Sequence, residues 1–370
     1  MKTVALSCTG EGFGHAARTV ALAQMLRNSY RIVIFAPPHL FPFMNENLGN
    51  IALEKIPYFS FVKIRDRIDY ARTVVSNLPQ AIRFPAAVRR IARRLQAHQV
   101  DALISDYDPY GSYAADSLGM PILQINHPAV VLRQREFSLE SLLAKIVSIV
   151  LMGKYHRKMV VSFYNGDVGP VVRKSLEEHR GPVEDFFVVY LKPSYRKIML
   201  RALKRLAIHN VHVFPDPNKN IVDYLARCRG VISSAGHQFM SEALVLGKPV
   251  FVVPQTGQYE QLLNARMLEL SGRGTWARID ELDTRLQEFV RNTDRYRTGS
   301  TPAHPHVSYR FHNDIDRVVR KIDAFIASTE GVATAPSLME ALVARFSAGG
   351  TNRPRRETPT RRRSILPAGL

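Results

Sequence analysis

The chain has 370 residues, 46% of them hydrophobic, and its 51 Lys and Arg against 32 Asp and Glu give a formal net charge of +19. That length fits two domains with ample core, and the charge points to an anionic partner: nucleic acid, acidic lipid or an acidic substrate. No stretch reaches the ~18 apolar residues of a membrane-spanning helix, Met1-Lys2 runs straight into a strand rather than a signal peptide, and the two cysteines, Cys8 and Cys228, read as reduced residues of a cytoplasmic protein rather than a disulfide or metal site.

Thr3–Cys8 reads as a short apolar strand, and Gly10-Glu11-Gly12-Phe13-Gly14-His15 as a glycine loop. A helix follows with Val20, Leu22, Ala23, Met25 and Leu26 facing inward, and then the strand Arg31–Ala36, which makes a βαβ opening. The loop is not the dinucleotide G-x-G-x-x-G, because its third spacing is one residue short, and it lacks the Gly-Lys-Ser/Thr of a P-loop. Residues 37–61, rich in Pro and aromatics, read as loops around a strand at 51–56. Two helices are expected at 66–77 and 80–98. The second places Ile82, Val88, Ile91 and Leu95 on one side and five arginines elsewhere. Such a basic amphipathic helix suits a membrane surface or core packing with a solvated face. Residues 63–94 hold nine basic side chains against Asp66 and Asp69.

Ala102–Asp106 reads as a buried strand ending in Asp106, followed by a helix at 110–118 and a strand at 121–125. Asp108 stands two residues beyond as a rival, and Asn126-His127-Pro128 follows the next strand. Leu139–Met152 is a nearly all-round apolar helix among Lys145, Lys154, Arg157 and Lys158. It is too short to span a bilayer; it packs on the first sheet or dips into a bilayer face. A linker is expected at 164–184, near Gly169-Pro170 and Gly181-Pro182.

A second domain opens with a strand at 186–190 and a turn at Lys192-Pro193-Ser194. A basic helix at 194–206, the strand Val211–Phe214 and a helix at 223–228 come next. Residues 231–265 are the most informative stretch. Val231 and Ile232 run into Ser233-Ser234-Ala235-Gly236, and a helix follows with Phe239, Met240, Ala243, Leu244 and Leu246 on one stripe. Gly247 and Pro249 end that helix. Residues 249–253 form a continuous apolar strand, as in a sheet buried on both faces. A polar loop then leads to a helix with Glu260, Gln261 and Asn264. The turn at Ser234–His237 offers unpaired N–H groups at a helix N-terminus, where phosphates bind. Glu242, six residues after Gly236, is placed for ribose hydroxyls, and Glu260 and Gln261 for sugar hydroxyls. The same polar residues equally cap and solvate an ordinary α/β unit. Helices are expected at 281–296 and 311–327, and the tail from 331, with seven arginines against two glutamates, reads as mostly disordered.

These motifs resemble the GT-B glycosyltransferases. Gly236 and Glu242 keep the Gly-to-Glu spacing of the H-C-G-W-N-S-T-L-E stretch of plant-type small-molecule glycosyltransferases. Glu260-Gln261-Leu262-Leu263-Asn264-Ala265 is similar to the Q-Q-x-x-N-A of the peptidoglycan N-acetylglucosaminyltransferase. Both groups carry a glycine loop ending in Gly-His after their first strand, here Gly14-His15. The nearest pattern is a bacterial and archaeal branch of that superfamily. The resemblance implies two Rossmann-like domains with parallel sheets facing a central cleft: residues 1–163 for the acceptor, a linker at 164–184, residues 185–328 for the donor with the last helix crossing back, and a basic tail at 329–370. It implies Ser234, Gly236 and His237 at a diphosphate, Glu242 at a ribose, and Glu260, Gln261 and Asn264 on the donor sugar. It implies His15 as the base, held in its tautomer by Asp106, with Gly12, Gly14 and His127 at the acceptor side. Lys192-Pro193-Ser194 departs from the Gly-rich loop of many relatives. The expected reaction is inverting transfer from a UDP-sugar to a hydroxyl of a lipid, cell-envelope glycan or small molecule. No cofactor and no metal are expected. The expected place is the cytoplasm, with peripheral contact to an anionic inner membrane face. The alternatives are a nucleotide-sugar 2-epimerase of the same fold, or a basic nucleic-acid- or membrane-binding protein without catalysis. Nucleic acid is the weaker partner, because it leaves Glu242, Glu260 and Gln261 without a role.

Overall fold

The computed structural model describes residues 1–64, 67–179, 181–299 and 307–328. Arg65, Asp66 and the tail from 329 lie outside them. The first domain is a six-stranded parallel sheet in the order β3-β2-β1-β6-β7-β8. Its strands are β1 (Thr3–Cys8), β2 (Arg31–Ala36), β3 (Ala52–Lys55), β6 (Ala102–Asp106), β7 (Ile122–Asn126) and β8 (Arg157–Val160). β4 (Lys63–Ile64) and β5 (Arg67–Ile68) form a separate antiparallel pair. The helices are α1 (Phe13–Leu26), α2 (Phe41–Leu48), α3 (Tyr70–Ala97), α4 (Pro109–Asp116), α5 (Leu139–Met152) and the short α6 (Ser175–Glu178). Every residue of β1 and β6 is buried, as both faces of the sheet carry helices.

The second domain is a five-stranded parallel sheet in the order β10-β9-β11-β12-β13. Its strands are β9 (Phe187–Tyr190), β10 (Val211–Phe214), β11 (Gly230–Ser234), β12 (Val250–Val253) and β13 (Gly274–Trp276). Around them stand α7 (Pro193–Arg205), α8 (Ile221–Arg227), α9 (His237–Val245), α10 (Tyr259–Leu270), α11 (Leu282–Arg291) and α12 (Thr293–Thr298). The last helix, α13 (Ile315–Ser328), buries Ile315, Val318, Ile322 and Phe325 in the core of the first sheet.

The strand order reverses between β1 and β6 in one sheet and between β9 and β11 in the other. A doubly wound sheet opens its ligand crevice at that point, beyond the strand C-termini. In one domain His15 follows β1 and Asp106 ends β6; in the other Lys192 follows β9 and Gly236 follows β11.

Three local readings differ from the structure. The two helices expected at 66–77 and 80–98 are one 28-residue helix with Pro79 and Pro85 inside it. Most of its first half faces solvent, where water takes the carbonyls that each proline strands. Ile82, expected inside, is exposed. Residues 37–61 contain α2 as well as loops, and Pro42 sits in its first turn, where a proline starts a helix rather than breaking one.

Candidate functional site

A cleft of about 730 Å³ lies where the C-terminal ends of the two sheets face each other. Gly12, Gly14, His15, Arg18 and His127 line it from the first domain, and Ser234, Gly236, His237, Glu242, Glu260 and Gln261 from the second. Gly12 caps α1 with a φ of +84°, a conformation that suits glycine. Gly14 meets α9 directly: a Cβ there would stand 3.1 Å from Gln238 Cβ.

His15 sits in the first turn of α1. Its Nδ1 is 2.9 Å from Asp106 Oδ1. Arg18 clamps the same carboxylate, Nε donating to Oδ2 at 2.8 Å and a terminal nitrogen to Oδ1 at 3.0 Å. Burial alone would raise the Asp106 pKa, but Arg18 and His15 hold it below the ordinary value, so the carboxylate is an anion. An anionic acceptor at Nδ1 keeps the proton there and leaves Nε2 as the basic nitrogen for a substrate. Tyr107, at φ +62°, stacks on the His15 ring with centroids 5.9 Å apart. Its left-handed backbone turns the chain sharply between two carboxylates. Asp106 goes to His15, while Asp108 accepts N–H bonds from Tyr110 and Gly111 at 3.0 and 2.8 Å and caps α4. Burial pushes Asp108 up to about 6. Of the two candidate acids, Asp106 is the one that reaches His15.

Arg18 was not singled out in the sequence. Its signal was there, a lone arginine among Ala16, Thr19 and Val20 on the buried side of α1.

Across the cleft, α9 begins with Gly236 as its cap and no side-chain capping bond, so its first N–H groups are left for a ligand. Glu242 is buried and takes an N–H from Gln238 at 3.3 Å. Burial raises its pKa, and the nearby Arg173 opposes that rise. Arg173 Nε is buried with no hydrogen-bond partner among the described residues. Glu260 is partly buried, and its pKa too is raised by burial. Gln261 Oε1 accepts the Gln255 N–H at 2.9 Å and so shapes the loop before α10. Lys192 donates to Gln255 Oε1 at 3.0 Å.

Three of the expected contact residues also hold one another in place. Asn264 is fully buried: it donates to Ala235 O at 3.0 Å, and its Oδ1 stands 2.7 Å from the Tyr164 hydroxyl and 2.9 Å from His127 Nε2. His127 also bonds Val161 O at 3.1 Å through Nδ1. The His237 ring lies against His127 and takes the Phe163 N–H at 3.3 Å. The side chains of His127 and His237 line the cleft and, with Asn264 behind them, form a latch between the two domains. Burial pushes His127 down to about 3 and His237 well below its ordinary value.

Among the described residues no group of three His, Cys, Asp or Glu is placed to hold a metal ion, and no helix is long and apolar enough to cross a membrane.

A family model described as glycosyl transferase family 1 matches residues 3–177 and 195–293. An uncharacterized glycosyltransferase of Methanosarcina acetivorans is 24% identical over 327 aligned positions, covering 74% of this chain and 85% of that protein. Three solved structures share the fold. Spinosyn rhamnosyltransferase SpnG matches with a TM-score of 0.57 and 14% identity, over 87% of this chain and 100% of its own. MurG of Acinetobacter baumannii gives 0.55 and 16%, over 88% and 100%. UGT2 of Phytolacca americana, complexed with UDP-2fluoro-glucose and pterostilbene, gives 0.57 and 15%, over 88% and 100%. All three have the two-domain GT-B architecture.

Proposed function

The chain belongs to glycosyl transferase family 1 and is a glycosyltransferase, and from that premise we propose that it moves a sugar from a nucleoside-diphosphate sugar, of the UDP class, to an acceptor hydroxyl with inversion. The observation that carries this reading is the pairing across one cleft: a His15–Asp106 dyad on one wall and the uncapped start of α9, with Glu242, on the other.

His15 Nε2 takes the proton of the acceptor hydroxyl as its oxygen attacks the anomeric carbon. The bond from that carbon to the diphosphate oxygen breaks on the opposite face, and the nucleoside diphosphate leaves. Asp106 stabilises the imidazolium that forms, without taking its proton. Charge grows on the leaving diphosphate, where the α9 N–H groups, the unpartnered Arg173 Nε and Lys192 offset it. No step calls for a metal or a cofactor. Glu242 suits the ribose: two hydroxyl donors would restore the solvation its buried carboxylate lacks. Glu260 suits the sugar. The acceptor is of the lipid, cell-envelope glycan or small-molecule class, taken up between the glycine loop and α5.

A thermal-shift series with UDP-, GDP- and dTDP-sugars tests the donor side, since a ligand of the folded state must raise the melting temperature. Stabilisation by UDP-sugars, lost in Glu242→Ala, is the expected result. A folded protein unmoved by every nucleotide overturns the reading.

A further inference from the structure

α5 is apolar on its outer face as well as its inner one. It buries Leu151 and Met152 along with Ser141 and Ser148, and turns Leu139, Leu142, Ile146 and Val150 to solvent, at 72%, 50%, 50% and 49% exposure. At about 100° per residue these four share one face. Its inner face holds Ala144, Val147 and Ser148 on the cleft wall. The first half of α3 repeats the pattern: Val74, Val75, Leu78 and Ile82 are all exposed and lie within an arc of about 100°. Further along that helix Arg89 and Arg93 fall in the same arc, exposed and without an ion-pair partner among the described residues. Both helices reach the cleft wall, α3 through its first residue, Tyr70, and α5 through Ala144 and Val147. α4 packs against both.

We propose that the outer faces of α5 and α3 dock the chain on an anionic lipid bilayer, with the cleft mouth at the bilayer surface. The inference rests on the cleft being the sugar-transfer site and deepens it, because an acceptor carried on a lipid would meet His15 from that side. Charge decides the occupant. Two exposed apolar stripes, that of α3 ending in unpaired arginines, match an apolar interior behind a layer of phosphates. A second copy carries +19 itself, and the tail from 331 carries seven arginines against two glutamates, so both are repelled by the same arginines. Neither helix can cross the bilayer, so the contact is interfacial.

The test is co-sedimentation of the full chain with vesicles of phosphatidylcholine alone and of phosphatidylcholine with phosphatidylglycerol, at low salt. The chain pellets with the anionic vesicles only. Leu142→Ser with Ile146→Ser weakens that binding by about tenfold, and so does Arg89→Glu with Arg93→Glu, each at an unchanged melting temperature. A chain that stays in solution with anionic vesicles overturns the proposal. So does an apolar double variant that pellets like the wild type, or a wild-type dimer that this variant turns into a monomer. The UDP-sugar shift is measured on the same samples. Vesicle binding lost with that shift intact rejects the docking alone, whereas a wild type without the shift rejects the donor reading.

Discussion

The rings of His127 and His237 lie face to face across the two domains, with centroids 3.6 Å apart and planes 12° from parallel. One follows β7 and the other opens α9, so the stack forms part of the domain junction. Two cationic rings could not share that separation. Both pKa values are pushed below the ordinary 6.5 by burial, with Arg18 and His15 adding to the effect.

Stability follows from that stack. Between pH 6.5 and about 3 the unfolded chain binds protons that the folded His127 does not, so stability falls as pH drops through this window. The raised carboxyls of Glu242 and Glu260 act in the opposite sense, so the informative measurement is a difference. Melting temperature followed from pH 7 to 4 should fall more steeply in the wild type than in His127→Gln. Parallel curves would remove His127 from the account.

His15→Ala should lower kcat by roughly 10²–10⁴-fold, the usual worth of a positioned general base. It should leave the nucleotide-induced melting shift intact, because His15 lines the cleft from the first domain and the start of α9 from the second. Loss of that shift together with activity would assign His15 to donor binding instead.

Asp106→Asn should cost both activity and stability, the latter by about 3–5 kcal/mol, because it leaves the buried Arg18 guanidinium without its counter-charge. Urea denaturation measures this. A variant as stable as the wild type would show that Arg18 finds another partner.

Glu242→Gln should separate stability from binding. A carboxyl whose pKa is raised in the folded state is disfavoured as an anion there, so its contribution improves as pH falls and is lost as pH rises. The neutral amide should therefore raise the melting temperature above neutral pH while abolishing the UDP-sugar shift. A lower melting temperature would mean that Arg173 outweighs burial.

Gly14→Val should loosen the contact between α1 and α9, since even its Cβ would lie 3.1 Å from Gln238 Cβ. A cost of about 1–3 kcal/mol is expected for such overpacking. KM for the donor should rise if the start of α9 holds the diphosphate as proposed. An unchanged KM would show that α9 tolerates the shift.

The amino-acid sequence by itself determined the parallel strands, the glycine loop, the uncapped start of α9 and the spacing from Gly236 to Glu242. These are local properties: an apolar run buried on both faces, a glycine at positive φ and a helix start are each encoded within about a dozen contiguous residues. Helix counts failed where local signals mislead, as at Pro79 and Pro85, which a solvent-facing helix absorbs. Only the tertiary structure decided between Asp106 and Asp108, joined Arg18 to a carboxylate 88 residues away, and withdrew Asn264 from the cleft to bond His127, 137 residues before it. It alone decided which side of α5 faces inward, because a helix apolar nearly all round has no preferred face until its neighbours are in place. Which polar groups pair, and which face water is denied, are set by contacts between distant segments, and periodicity carries no record of them.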